Sequence, residues 1–169
     1  MISTQAMTDP ILILRVLLLL GAANGAPILA SRLLRERWDA PLDGGRTWRD
    51  GRPILGSSKT FRGILAAAVC TAGIAPLLGF SAWTGLAVAA GAMAGDLLSS
   101  FAKRRLGLPA HARASGIDQV PEALLPLLLL RPALGLSVTD ILVALIAFII
   151  LAVLLSRLLY RLNIRDRPY

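Results

Sequence analysis

The sequence is poor in the side chains that most often carry chemistry. It holds one cysteine, Cys70, and one histidine, His111. A single cysteine excludes an internal disulfide, and so few cysteine and histidine side chains give no signal for a zinc cluster. No Ser-His-Asp or Cys-His set can be recognised, so covalent catalysis by such a set is not indicated. Acidic residues are also scarce, with 10 Asp and Glu against 18 Lys and Arg.

Apolar residues dominate what is present, at 56% of the chain. A basic chain this apolar is typical of a small integral membrane protein, because a bilayer-spanning helix needs about 20 predominantly apolar residues. The sequence predicts a single all-α domain over residues 1–169 with about five transmembrane helices. The predicted spans are 11–34, 62–80, 83–102, 119–136 and 138–160.

The basic residues predict the orientation of these helices. Nearly all of them lie in segments 32–62 and 103–113 and in the tail after residue 156. Five spans put these segments on one side, which the positive-inside rule assigns to the cytoplasm. We therefore expect cytoplasmic loops at about 35–61 and 103–118, an external N-terminus, a cytoplasmic C-terminus and an active site that faces the cytoplasm from the cell (inner) membrane.

Residues 51–63, GRPILGSSKTFRG, look like a nucleotide-binding loop. They are not a Walker A motif, because two serines separate Gly56 from Lys59 and the segment opens a membrane span. A helix N-terminus still favours an anion. Lys59 and Arg62 are three residues apart and would share a helical face, which predicts a phosphate site. The alternative is that the two cations only obey the positive-inside rule and that the serines cap a helix.

Asp96 lies inside the third apolar stretch, where a carboxylate is costly unless it faces an interior site. On a helix, Asp96, Ser99, Ser100 and Lys103 share one face, so they would point into one cavity near the cytoplasmic side. The alternative is a private ion pair between Asp96 and Lys103.

Asp118 precedes the fourth span, where it could meet Asp96 across the bundle. Two carboxylates beside basic residues suit Mg²⁺ that carries phosphates. The alternative is a capping arrangement of Ser115 and Asp118. In the first span, Asn24 and Pro27 interrupt an apolar helix, and either a polar cavity or close helix packing would accommodate them.

In this order, the residues resemble the CDP-archaeol synthase family, membrane enzymes related to bacterial CDP-diacylglycerol synthases. The strongest parts are PLDGGRTWRDGRPILGSSKTFRG (41–63) and GDLLSSFAKRRLGLPAHARASGIDQ (95–119). The resemblance implies a CTP-dependent cytidylyltransferase, in which a lipid phosphate attacks the α-phosphorus of CTP to give a CDP-lipid and pyrophosphate. It also implies Mg²⁺ as cofactor and five helices around a charged, cytoplasm-facing cavity.

The resemblance further implies roles for individual residues. The carboxylates that would organise Mg²⁺ and the phosphates are Asp96 and Asp118. The cations that would neutralise the lipid phosphate or the α-phosphate are Lys103 and Arg104. The residues that would hold the triphosphate are Lys59, Thr60 and Arg62. The residues that would shape the nucleotide loop are Asp43, Gly44, Asp50, Gly51 and Gly56. Asn24 would line the cavity.

Some positions depart from the family pattern. A second acid is expected three residues after Asp118, where Pro121 stands, and Glu122 one place later could substitute for it. One and two metal ions therefore both stay open. The alanine and arginine content and the short polar loops are typical of a bacterial member, so the lipid phosphate could be archaetidic-acid-like or phosphatidic acid.

Two other classes of function stay open. The chain could be a small non-catalytic lipid or solute transporter, or a subunit of a membrane complex. The polar loop at 43–60 argues against both, because a helix that only packs has no need of it. No nucleic-acid partner is expected, and the sequence leaves the oligomeric state open.

Overall fold

Five α-helices form the protein in a computed structural model that describes residues 9–108 and 118–161. The helices are α1 (Pro10–Leu34), α2 (Phe61–Ile74), α3 (Ala82–Arg105), α4 (Gln119–Leu134) and α5 (Val138–Arg161). A short 3-10 helix, Ala75–Leu78, extends α2. No strand occurs within the described residues, so the predicted all-α fold is confirmed.

Side chains cap the helices where the sequence turns from polar to apolar. The carboxylate of Asp9 accepts hydrogen bonds from the amides of Ile11 and Leu12 and so caps α1. Ser81 accepts from the amide of Thr84 at the start of α3. These contacts satisfy backbone donors that have no partner inside the helix, which is why the helices begin at these positions.

Four of the helical segments are long and apolar enough to cross a membrane. They are Pro10–Leu34, Phe61–Leu78, Ala82–Arg105 and Val138–Leu158. α4 has 16 residues, or about 24 Å at 1.5 Å per residue, so it is shorter than a full span. α3 continues through Arg105, three residues beyond the predicted span, and Lys103 and Arg104 therefore lie in its last turn.

Glycines on α3 let α4 come close. A Cβ atom at Gly91 would lie 2.8 Å from the Cα of Pro126, and one at Gly95 would collide with the carbonyl of Pro121. Small residues at i and i+4 permit this kind of backbone contact between membrane helices. The contacts fix the register of the two helices, because Gly91 is opposite Pro126 and Gly95 is opposite Pro121.

The apolar interior lies between the helices, and further apolar side chains face outward. Large apolar side chains that are fully or almost fully buried come from α1, α3 and α4: Val16, Leu19, Leu20, Val88 and Leu127. Large apolar side chains four residues apart on α5 are exposed: Leu142, Ile146, Ile150 and Leu154. An outward apolar surface of this kind suits contact with lipid.

The connection between α1 and α2 is ordered by backbone hydrogen bonds. Isolated bridges join Pro41 to Thr60 and Thr47 to Pro53. Within it, residues 46–54 form a tight hairpin, in which the amide of Ile54 donates to the carbonyl of Arg46 and the amide of Trp48 to the carbonyl of Arg52. We call residues 46–54 the loop hairpin.

Candidate active site

Lys59 and Asp96 form the centre of the candidate site. The Nζ atom of Lys59 lies 2.6 Å from both Oδ1 and Oδ2 of Asp96. The two side chains are 19% and 21% exposed, so this ion pair is accessible to a soluble ligand. Lys59 precedes α2, which begins at Phe61 after the N-cap Thr60. The prediction that Lys59 and Arg62 share a helical face is therefore wrong.

A second ion pair joins Lys103 to Asp118. The Nζ atom of Lys103 lies 2.7 Å from Oδ1 of Asp118. Asp96 and Lys103 therefore do not form the ion pair that was the alternative from the sequence. Each of them pairs with a residue from another part of the chain. Asp118 occupies the N-cap position of α4, but its side chain makes no capping hydrogen bond. The described contacts therefore do not support a capping role for Asp118, its role at the site stays a prediction, and Ser115 lies outside the described residues.

Glu122 is a third carboxylate beside the first pair. Asp96, Lys59 and Asp118 all lie close enough to its side chain to act on it electrostatically. The close approach of Gly95 to Pro121 brings this first turn of α4 against α3. The sequence marked Glu122 only as a substitute for an acid at position 121. A stronger signal was its spacing of four from Asp118, which places both on one face of a helix.

The carboxylate of Asp43 holds the chain that leads to Lys59. Its Oδ2 accepts hydrogen bonds from the amides of Leu55 and Gly56, and its Oδ1 accepts from the amide of Gly45. Partial burial acts to raise the pKa of Asp43, but these amide hydrogen bonds outweigh it and hold the pKa below the ordinary value of 3.8. The predicted role of Asp43 in shaping the loop is consistent with this geometry.

Glycines occupy the sharp turns of the same segment. Gly44, Gly51 and Gly56 have φ values of 58°, 74° and 98°, a region that other residues rarely adopt.

Asp50 lies next to Gly51 and accepts hydrogen bonds from the amide of Arg52 and the guanidinium of Arg105. Desolvation acts to raise the pKa of Asp50, but the contacts with Arg52 and Arg105 outweigh it together and lower the pKa overall. Asp50 thus contacts other parts of the protein with its carboxylate.

Arg62 extends away from Lys59 toward the end of α1. Its Nη1 donates to the carbonyls of Arg35 and Arg37, and its Nη2 lies 2.8 Å from Oδ1 of Asp39. Arg62 is only 7% exposed. These contacts hold the α1–α2 connection against the start of α2, and the predicted role of Arg62 at the triphosphate stays a prediction.

Three further residues of the predicted site are Thr60, Arg104 and Asn24. Thr60 caps α2, since its Oγ1 accepts from the amide of Gly63. Arg104 is 6% exposed in the last turn of α3. Asn24 donates from Nδ2 to the carbonyl of Leu20 within α1, and the helix continues through Pro27. The structure therefore shows a local partner for Asn24.

Carboxylates and ammonium groups from three segments thus meet at one place. Asp96 comes from α3, Asp118 and Glu122 from the start of α4, and Lys59 from the α1–α2 connection. Within residues 9–108 and 118–161, no three His, Cys, Asp or Glu side chains are grouped to hold a metal by themselves. Mg²⁺ usually takes one or two carboxylates together with substrate phosphates and water. The neighbouring carboxylates of Asp96 and Glu122 fit that mode of binding.

Comparison with known proteins gives consistent matches. Residues 76–169 match the family described as CarS-like, CDP-archaeol synthase. A CDP-archaeol synthase of Hyperthermus butylicus is 40% identical over 138 residues, which cover 73% of this chain and 79% of the relative. One of Pyrobaculum calidifontis is 35% identical over 152 residues, which cover 87% of this chain and 90% of the relative.

A solved structure shares the fold as well. It is that of an intramembrane enzyme for archaeal membrane lipid biosynthesis, with 30% sequence identity and a TM-score of 0.73. The match covers 85% of this chain and 91% of the solved one.

Proposed function

Because the chain belongs to the CDP-archaeol synthase family, we propose that it transfers the CMP moiety of CTP to a membrane lipid phosphate. An oxygen of the lipid phosphate attacks the α-phosphorus of CTP and forms the new P–O bond. The bond between the α-phosphorus and the oxygen that bridges to the β-phosphorus breaks, and pyrophosphate leaves with that oxygen. The products are a CDP-activated lipid and pyrophosphate.

The observation that carries this proposal is the pairing of both lysines of the sequence with aspartates at one site. Lys59 contacts Asp96, and Lys103 contacts Asp118. A lysine ammonium binds phosphate as a compact charge. Phosphoryl-type transfer depends on alignment and charge neutralisation more than on a covalent catalyst. A site with two lysines and three carboxylates, and no recognised nucleophile, suits this chemistry.

The proposed roles follow from the contacts. Lys59 would bind the triphosphate, since it ends the segment held by Asp43. Lys103 would neutralise the lipid phosphate or the α-phosphate, since it lies on α3 at the other ion pair. Asp96 and Glu122, with Asp118 nearby, would hold Mg²⁺. When bound, Mg²⁺ neutralises phosphate charge and orients the triphosphate.

The location of the site supports a reaction between a soluble and a membrane substrate. The site residues lie just before α2, in the second half of α3 and at the start of α4. Basic residues concentrate in the polar connections before α2 and between α3 and α4, so we propose that this side is cytoplasmic. CTP would then enter from the cytoplasm and the lipid phosphate from the bilayer. The proposed location is the cell (inner) membrane.

The test uses the purified full chain in detergent with Mg²⁺ and labelled CTP. Phosphatidic acid and an unsaturated ether-lipid phosphate are offered separately, and the CDP-lipid and pyrophosphate are both measured. A product with either lipid supports the reaction and identifies the lipid class. If neither lipid gives a product although the protein binds CTP, the proposed transfer to these lipid phosphates is contradicted. If CTP does not bind, the proposed function is wrong.

Two substitutions test the site in the same assay. Asp96→Asn and Asp118→Asn each remove a negative charge with little change in shape, so we expect folded proteins without activity. Asp9→Asn is the matched control, because Asp9 caps the opposite end of the bundle. Wild-type activity in Asp96→Asn or Asp118→Asn would contradict the site assignment.

A further inference from the structure

Two arginines exchange hydrogen bonds between the loop hairpin and the end of α3. Arg105 of α3 donates from Nη2 to the carbonyls of Pro53 and Arg52, at 2.6 and 3.3 Å. In return, Nη1 of Arg52 donates to the carbonyl of Arg105 at 2.6 Å. That carbonyl lies at the C-terminal end of a helix, where a cation is favoured. We call this pair the arginine clamp.

Asp50 offsets the repulsion between the two cations. Its Oδ1 lies 2.6 Å from Nη1 of Arg105 and accepts from the backbone amide of Arg52. The clamp therefore joins three residues of the hairpin to one residue of α3. A single guanidinium can serve several acceptors in this way because its donors are held in a rigid, planar arrangement.

Aromatic side chains add a second connection between the same two segments. Trp48 of the hairpin and Phe101 of α3 form an edge-to-face aromatic pair. Their ring centroids are 5.5 Å apart and their planes meet at 87°. The guanidinium carbon of Arg105 lies 5.0 Å from the centre of the Phe101 ring. Both kinds of contact are individually modest, at about 0.5–1.5 kcal/mol. The contact of Trp48 attaches the hairpin to α3, and the contact within α3 places the Arg105 guanidinium beside the same ring.

The clamp uses a different face of α3 from the candidate site. At 100° per residue, Asp96 and Lys103 share one face, whereas Phe101 and Arg105 point roughly to the opposite side. The hairpin continues directly into Leu55 and Gly56, which Asp43 holds, and then into Lys59. α3 therefore contributes Asp96 to the site on one face, and on another face it contacts the hairpin that leads to Lys59.

We propose that Arg52 and Arg105 are positioning residues for CTP, which fix the loop hairpin on α3 so that Lys59 is in place before the nucleotide arrives. This inference rests on the proposed function, since it concerns the binding of CTP. Neither arginine contacts the two ion pairs of the site. They act through the loop that leads to Lys59, so their loss should weaken CTP binding more than it slows the reaction of bound CTP.

The test compares Arg105→Ala, Arg52→Ala and the double variant with the wild type. We expect the KM for CTP to rise about tenfold or more, because a small misplacement of a binding group is costly, while kcat and the KM for the lipid change little. The double variant should be no worse than the more severe single variant, because each substitution already opens the same clamp. Arg49→Ala is the matched control, since the exposed Arg49 side chain has no polar partner among the described residues.

Hydrogen exchange provides a readout that does not depend on activity. The amides of Trp48 and Ile54, which close the hairpin, should exchange faster in Arg105→Ala and as in the wild type in Arg49→Ala. Arg105→Lys keeps a charge near Asp50 but lacks the planar set of donors, so it should restore part of the CTP affinity.

Three results would overturn the inference. The first is faster exchange of the hairpin with an unchanged KM for CTP. The second is a fall of kcat together with a similar rise of the KM values for CTP and for the lipid, with no rescue by Arg105→Lys. That result would indicate a general structural role. The third is a wild-type protein that binds no CTP, which overturns the proposed function as well. If the wild type binds CTP without forming a CDP-lipid, only the proposed function fails, and dissociation constants for CTP then test the clamp.

Discussion

The ammonium of Lys59 contacts both carboxylate oxygens of Asp96, each at 2.6 Å. A cation from the α1–α2 connection and an acid from α3 therefore neutralise each other before any substrate is bound. In the proposed function, a triphosphate that binds Lys59 would have to compete with this contact. A cation that replaces Lys59 at Asp96, such as Mg²⁺, would release the ammonium for the phosphates.

This relationship leads to a prediction for Lys59→Met. The substitution removes the cation beside Asp96 and Glu122 and should lower kcat/KM by about 100-fold or more, as loss of one electrostatic contact to a reacting phosphate can do. Lys59→Arg keeps the charge but not the compact shape and should recover part of the loss. Initial rates of CDP-lipid formation measure both effects. A Lys59→Met enzyme with near wild-type activity would exclude a role for Lys59 in the reaction.

The contact between α3 and α4 gives a second prediction. In Gly95→Ala, the new methyl group would collide with the carbonyl of Pro121, so the helices must separate and Asp96 must move from Glu122. Overpacking of this kind costs about 1–3 kcal/mol, and we expect both the melting temperature and the activity to fall. Gly21→Ala is the control, because nothing lies within 4 Å of a Cβ atom at Gly21. Equal stability of the two variants would contradict the close contact.

Arg62 provides a test between two roles for one residue. The sequence predicted that it holds the triphosphate, whereas its contacts assign it to Asp39 and the end of α1. Arg62→Lys should therefore unfold more easily, by on the order of 2–3 kcal/mol for the lost charged hydrogen bonds, with a KM for CTP close to that of the wild type. Arg37→Ala is the control, since Arg37 contributes its carbonyl to this contact. A higher KM without a change in stability would favour the triphosphate role.

The lowered pKa of Asp43 leads to a prediction that the stability of the folded protein depends on pH. Its pKa in the folded protein is lowered from 3.8, so the ionised carboxylate stabilises the loop above that pH. The contribution is lost as the pH falls below 3.8 and through the folded-state pKa. Asp43→Asn places an amide NH₂ group among backbone donors and should lower the melting temperature near neutral pH. The difference from the wild type should shrink in strong acid, and a difference that is constant with pH would contradict the assignment.

The helices could be predicted from the sequence because apolar length and capping residues define them locally. The apolar runs at 11–34 and 138–160 correspond closely to α1 and α5. The prediction that Lys59 and Arg62 share a helical face failed for an equally local reason. Thr60 caps α2, so Lys59 falls outside the helix and does not share a face with Arg62.

The pairing of charges could not be predicted from the sequence in the same way. The pairing of Lys103 with Asp118 depends on the register between α3 and α4, which contacts at Gly91 and Gly95 set. The pairing of Lys59 with Asp96 depends on how the α1–α2 connection lies on α3. The arginine clamp is also a long-range contact, since Arg52 and Arg105 are 53 residues apart. The charged residues of the candidate site could be predicted from the sequence, whereas their ion-pair partners depend on contacts between distant segments.

The register between α3 and α4 also sets the depth of the site. With Gly91 opposite Pro126 and Gly95 opposite Pro121, the first residue of α4 is level with a point about two turns before the end of α3. Those two turns are on the order of 10 Å, so Glu122 lies well below the rim formed by Arg105 and the loop hairpin. In the proposed function, a nucleotide would pass this rim to reach Glu122. The short helix would then bring the water-soluble substrate toward the membrane, so that the lipid phosphate would not have to leave it.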